Sequence, residues 1–115
     1  MDNNNEQENG SDVDGGDLFE RIYLGQPLDN IPDVPFRLII DASVLMIDEE
    51  ACEGCRHLLR EVVFHNNVTE IGYAAFAGCH NLERVELLEG LLRVERDAFR
   101  GCTSLREIVI PASVQ

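Results

Sequence analysis

Apolar residues recur along most of the chain in a repeated six-residue pattern. The hexapeptides that begin at Leu59, Leu82 and Leu105 carry apolar side chains at positions one, four and six, and their starts lie 23 residues apart. The alternation over positions three to six predicts a short β-strand with one buried face. Nine positions after each leading leucine stands another apolar residue: Val68, Leu91 or Val114.

The stretches between these strands repeat as well. Phe76 and Phe99 each belong to an Ala-Phe-x-Gly-Cys motif, and a short segment that ends in this way predicts a single helical or 3₁₀ turn. The first unit is looser, because Cys52 stands where the others have phenylalanine and one residue is inserted before Leu59. A unit this small cannot bury its own apolar face, so the pattern predicts coils that stack on one another.

The chain therefore divides into a tail and a repeat region. Residues 1–16 are rich in asparagine, glycine and acidic residues, and we predict that they are disordered, since they cannot bury enough apolar surface to offset the entropy of ordering. Residues 17–34 are predicted to form an N-terminal cap or lead-in. The predicted repeat units are 35–58, which includes a leading half-coil, 59–81, 82–104 and the incomplete 105–115.

The repeat resembles that of the BspA-type leucine-rich repeat proteins. The most telling matches are Pro111 and the pairs Ile71-Gly72, Ala75-Phe76 and Gly78-Cys79. The upstream stretches 22–27 and 31–32 also resemble the lead-in of such proteins in microbial eukaryotes. Departures are Cys52, the residue inserted before Leu59, and Asp48 in place of glycine, and they put the regularity of the first coil in doubt.

This resemblance implies a leucine-rich-repeat solenoid of about three and a half coils. It implies short parallel β-strands joined by tight turns and by single helical or 3₁₀ turns. It also implies protein–protein interaction, adhesion or surface display, and no catalysis.

Two outward columns of the stacked strands alternate in charge. If the fourth residue of each hexapeptide points inward, its neighbours point outward. The first predicted column is Arg37, Glu61, Arg84 and Glu107. The second is Phe36, Arg60, Glu83 and Arg106. Opposite charges on adjacent strands attract, and a slip by one coil would pair like charges, so we interpret these columns as devices that fix the register of the coils.

A third outward column is mostly aliphatic and is the candidate site. Its members are Ile39, Val63, Glu86 and Val109. Together with Phe36 they form the predicted partner-binding patch, because neighbouring exposed aliphatic residues are not explained by solubility. The alternative is ordinary β-branched filling of a strand surface.

The charge of the chain narrows the class of partner. With 22 acidic residues against nine arginines and no lysine, the formal net charge is −13. Such a surface repels phosphates, so we expect neither nucleic acid nor an anionic membrane as a partner. No export signal follows Met1 and no apolar run is long enough to span a bilayer, which predicts a cytoplasmic location for the sequence as it stands.

Several motifs suggest chemistry but have plainer explanations. Cys52-x-x-Cys55 has the spacing of a metal knuckle, and Cys79, Cys102, His57 and His80 could be recruited to complete a zinc site. Three of the cysteines, however, occupy the same place in consecutive units, where cysteine acts as a small buried apolar residue. The acidic run 48–50 with Glu53 lacks the spacing of a calcium loop. We therefore expect no metal, no cofactor and no catalytic residues.

The sequence thus predicts a non-catalytic protein-interaction module with an unidentified protein partner. One alternative is a structural or adhesive segment of a longer, surface-displayed solenoid, with self-association through an uncapped C-terminal coil. A second alternative is the regulatory arm of an enzyme whose catalytic domain lies elsewhere.

Overall fold

The computed structural model describes residues 18–28, 30–55, 57–106 and 108–115. The tail predicted to be disordered, residues 1–16, lies outside these described residues, as does Glu107.

The chain winds into a coil with strands on two sides. The strands are β1 (Phe19–Tyr23), β2 (Phe36–Ile40), β3 (Met46–Ile47), β4 (Leu59–Val63), β5 (Glu70–Ile71), β6 (Arg84–Val85) and β7 (Arg93–Val94). β1, β2, β4 and β6 form a four-stranded parallel sheet, while β3, β5 and β7 form a second parallel sheet of three strands. Because successive strands alternate between the two sheets from β2 onward, the predicted solenoid is confirmed.

The turns recur from coil to coil. The same backbone hydrogen bond closes one corner of each coil, where an N–H donates to the carbonyl oxygen three residues earlier. The donors are Val44, Val68, Leu91 and Val114, with distances of 2.9–3.5 Å. The predicted 3₁₀ turn is present at Glu53–Cys55. In the next coil the same stretch is a series of turns closed by bonds such as Cys79 N–H to Phe76 O, 3.2 Å.

Side chains at equivalent positions pack in columns between the two sheets. Phe76 and Phe99 stack with ring centroids 5.5 Å apart and planes 11° from parallel, as the repeat predicted. Leu59 and Leu82 are fully buried one above the other. Apolar area removed from water in this way contributes roughly 25 cal/mol per Å², which is the main stabilisation of a solenoid whose coils contact only their neighbours.

Gly72 shows how closely two coils approach. A Cβ atom at this position would lie 2.7 Å from the carbonyl oxygen of Ile47 and 2.8 Å from the amide nitrogen of Glu49. Both are backbone atoms, which cannot rotate away, so the stacking of this coil on the first one requires glycine. Asp48 takes the equivalent place in the first coil, where its N–H donates to the hydroxyl of Tyr23, 3.3 Å away.

The lead-in supplies a strand of its own. β1 pairs with β2 over five residues, from Phe19 opposite Phe36 to Tyr23 opposite Ile40. Tyr23 is completely buried at the N-terminal end of the core, and Arg21 donates from Nη1 to the carbonyl of Asn30, 2.6 Å away. The interpretation of residues 17–34 as a cap stays a prediction, but β1 gives the first coil a neighbour.

Candidate binding face

The prediction that Phe36 faces outward is wrong. Phe36 is completely buried, it lies opposite Leu59, and its N–H donates to the carbonyl of Leu58 at 2.9 Å. The register of the two strands shifts between Phe36 and Arg37, because Arg37 pairs with Glu61. Arg60 of β4 therefore has no counterpart in β2. Phe36 therefore fills the interior position that leucine occupies in the later coils.

A signal in the sequence could have found this. Phe36, Leu38 and Ile40 are spaced by two residues, and in the structure all three are buried while Arg37 and Ile39 are partly exposed. Strand alternation alone predicts this arrangement. The prediction was wrong because it placed Phe36 in the same column as Arg60, whereas the structure pairs Phe36 with Leu59.

The remaining aliphatic candidates are partly brought together. Ile39 lies opposite Val63 on the outer face of the four-stranded sheet, and Ile22 of β1, which the sequence reasoning missed, lies opposite Ile39. We call Ile22, Ile39 and Val63 the apolar patch; Ile22 is 53% exposed, Val63 is 42% exposed and Ile39 is half-buried. Val109 is 68% exposed but belongs to no described strand.

An ion-pair column runs beside the patch. Arg37 bonds through Nη1 to Glu20, 2.7 Å, and through Nε to Glu61, 2.8 Å; Glu61 also meets Nη1 of Arg84 at 3.3 Å. Only 12% of the side chains of Arg37 and Glu61 is exposed, and the hydrogen bond with Glu61 raises the pKa of Arg37. The predicted alternation is confirmed for the described members, and Glu20 extends it to the first strand.

The second charged column is weaker. Arg60 and Glu83 approach only to 4.0 Å, and both side chains are substantially exposed. Phe36 is not part of it, since it is buried. Exposed pairs of this length contribute about 0–1 kcal/mol, so this column adds little to the register.

A shallow depression of about 100 Å³ lies on the four-stranded sheet, where the longer strand β4 borders the shorter strand β6. β4 extends to Val63, whereas β6 ends at Val85, so β6 does not continue as a strand to Glu86 beside Val63. Its lining combines apolar residues such as Val63 and Phe64 with the charged residues Arg84 and Glu86. A lining of this mixed character suits one apolar side chain of a protein partner together with polar groups around it.

The second sheet borders a more acidic groove of about 560 Å³. Its lining includes Asp48, Glu49, Glu70 and Glu95, together with Tyr73. The guanidinium of Arg96 lies 5.5 Å from the centre of the Tyr73 ring.

Comparison with known protein families gives one match. The family described as BspA type leucine-rich repeat region matches residues 36–115, in six copies. The chain belongs to this family. No curated protein and no solved structure matches the sequence. Leucine-rich repeats generally mediate protein–protein interaction and are typically non-catalytic.

Within the leucine-rich repeats the cysteines are core residues. Cys52, Cys55 and Cys79 are buried, and none of the four cysteines forms a disulfide. The hydrogen bond with Cys55 and burial raise the pKa of Cys52, and burial raises the pKa of Cys102. The hydrogen bond with Cys52 lowers the pKa of Cys55, but this thiol is buried and therefore poorly accessible to a substrate. Over the described residues no group of three or more His, Cys, Asp or Glu side chains is placed to hold a metal ion.

None of the helices in the described part of the chain has the length and apolar character needed to cross a bilayer.

Proposed function

We propose that the chain is a non-catalytic protein-interaction module that binds its partner through the outer face of the four-stranded sheet. The observation that carries the proposal is the apolar patch: three aliphatic side chains, Ile22, Ile39 and Val63, stand in register on consecutive parallel strands and share the outer face. Isolated exposed aliphatic residues are common, but a contiguous row indicates an interaction surface.

The surroundings of the patch support the same face. In the neighbouring column Arg37 and Glu61 neutralise each other and keep a fixed position, so they frame the patch without requiring charges from the partner. Arg84, with 74% of its side chain exposed, is part of the lining of the depression. An apolar centre surrounded by polar groups is the usual anatomy of a protein interface. The expected partner therefore presents an apolar side chain to the depression beside Val63.

Paired variants test the proposal. Val63→Asp places a charge in the patch, and Leu92→Asp is the matched control, because Leu92 is 47% exposed but lies next to β7 of the other sheet. Both variants should keep the circular dichroism spectrum and the unfolding midpoint of the wild type, since neither residue is buried.

In affinity capture followed by mass spectrometry, proteins held by the wild type and by Leu92→Asp should be lost with Val63→Asp. If the two variants capture the same proteins, the apolar patch is not the binding face. The cytoplasmic location predicted from the sequence stays a prediction throughout.

One observation favours a second candidate function, that of a structural segment stacked on a further coil. Val109 and Ile110 are 68% and 54% exposed, and Leu105 and Ile108 are only partly buried. A second copy docked on this end would cover them. Light scattering tests this: self-association should weaken in Ile110→Asp, and a monomer at every concentration would contradict it.

A further inference from the structure

Two histidines occupy matching positions in consecutive coils. His57 and His80 each stand two residues before the leucine that begins the hexapeptide, Leu59 and Leu82 respectively. Both side chains are exposed on the same edge of the solenoid. The stacking of coils places them in contact, with ring centroids 4.8 Å apart and planes inclined by 66°.

The contact joins two ring nitrogens. Nδ1 of His57 lies 3.1 Å from Nε2 of His80. Two imidazole lone pairs cannot face each other at this distance without repulsion. Either a hydrogen atom bound to one of the two nitrogens or a metal ion bound by both must therefore lie between them.

The second nitrogen of His80 fixes which tautomer this ring adopts. Nδ1 of His80 lies 3.2 Å from the carbonyl oxygen of Gly78, which can only accept a hydrogen bond. In the neutral ring the proton is therefore on Nδ1, and Nε2 turns its lone pair towards His57. A backbone carbonyl bonded to the far nitrogen is also the arrangement that orients histidine ligands in metal sites.

The backbone that carries His57 is held as well. Nδ2 of Asn81, the residue after His80, donates to the carbonyl oxygen of His57 at 2.7 Å. This bond links the two coils directly beneath the histidine pair. The two rings are thus brought together by the fold, and their contact does not depend on their own attraction.

We propose that His57 Nδ1 and His80 Nε2 bind a divalent transition-metal ion of the Ni²⁺ or Cu²⁺ class, with water in the remaining positions. Metal–nitrogen bonds of about 2.0–2.1 Å to nitrogens 3.1 Å apart subtend about 95–102° at the metal. That angle lies between the right angle of octahedral and square-planar ions and the tetrahedral angle, so the choice of ion rests on the affinity of imidazole. Imidazole affinity rises towards nickel and copper along the divalent series.

When a metal ion replaces the hydrogen between the two nitrogens, the ring of His57 stays neutral and keeps one proton. In the metal-free protein the N–H at Nδ1 of His57 donates a hydrogen bond to Nε2 of His80. When the ion binds, that proton moves through solvent to Nε2 of His57, so the neutral ring keeps one proton and Nδ1 offers its lone pair. The net charge of −13 draws cations towards the surface, although the two rings are the only ligands that this edge supplies from the described residues.

Nickel is the probe of choice, because unlike Cu²⁺ it does not oxidise thiols and because paramagnetic Ni²⁺ broadens nearby resonances. Titration of the full chain, followed by calorimetry, should show one Ni²⁺ per chain. His57→Asn and His80→Asn should each weaken binding at least about tenfold, since each removes one of two ligands. The third histidine gives the control: Nδ1 of His65 accepts a bond from the N–H of Asn67, and His65→Asn should leave the affinity unchanged.

In NMR spectra the ring resonances of His57 and His80 should broaden before those of His65. Equal broadening of all three histidines, or an affinity that neither His57→Asn nor His80→Asn lowers, would overturn the proposal. Either result would place the nickel elsewhere, for example on the acidic residues.

Discussion

The coil formed by residues 59–81 and the coil formed by residues 82–104 have nearly the same apolar pattern but differ in burial. In the first, Ile71, Phe76 and Cys79 are fully buried. Their counterparts in the second are Val94, Phe99 and Cys102, and all three are only partly buried. The long strand also shortens, from five residues in β4 to two in β6.

The difference shows that a repeat residue is buried by its neighbours and not by its own coil. Residues 59–81 pack between two coils, whereas on one side the neighbour of residues 82–104 is the segment 105–115, whose described residues form no strand. At the other end β1 pairs with β2 and the ring of Tyr23 is buried, so the first coil also has a neighbour. Nearest-neighbour contacts thus set the stability of each coil.

The largest expected effect comes from the phenylalanine column. Phe76 contacts Phe64 edge-on, with centroids 6.3 Å apart, as well as stacking on Phe99. Phe76→Ala should lower the free energy of unfolding by about 3–5 kcal/mol, whereas the half-buried Phe99→Ala should cost roughly half as much. Urea denaturation measures both. Equal losses would mean that residues 105–115 cover the last coil as fully as a complete coil does.

A smaller effect is expected from the ion-pair columns. Glu61→Gln breaks the bonds to Arg37 and Arg84 at a site where 12% of the side chain is exposed, and should cost about 1 kcal/mol. Glu83→Gln, at a side chain 55% exposed and 4.0 Å from Arg60, should change stability by less than about 0.5 kcal/mol. The difference between the stability losses of these two variants should narrow in high salt, since the charges lie near the surface. A difference that is insensitive to salt would assign the loss to packing.

The smallest expected effect is a loss of stability at alkaline pH, and it concerns Tyr23 in the first strand. Burial raises the pKa of Tyr23 above its ordinary value of 10.0. The stability linked to this raised pKa is therefore fully present below pH 10, and it is lost as the pH rises through the folded value. Between about pH 10 and 11, Tyr23→Phe should lose less stability per pH unit than the wild type. Parallel losses would show that other groups, such as the buried cysteines, dominate the alkaline transition.

The candidate site was predictable in part. The Arg37–Glu61–Arg84 column followed from the 23-residue repeat, and the structure confirms it at 2.8 and 3.3 Å. Ile22 was missed because the lead-in does not match the repeat, although it enters the same sheet. The contact between His57 and His80 was equally hidden, since an insertion in the first unit obscures that they occupy matching places.

The sequence by itself determined the family, the alternation of strands and turns, and which residues form columns, because these depend on local spacing and on the period of the repeat. Only the tertiary structure decided the register shift that buries Phe36, the degree of burial in each coil, and the meeting of the two histidine nitrogens. The reason is physical: the repeat specifies what each coil offers to a neighbour, but the burial of a side chain depends on which neighbour is present and on how the two coils align.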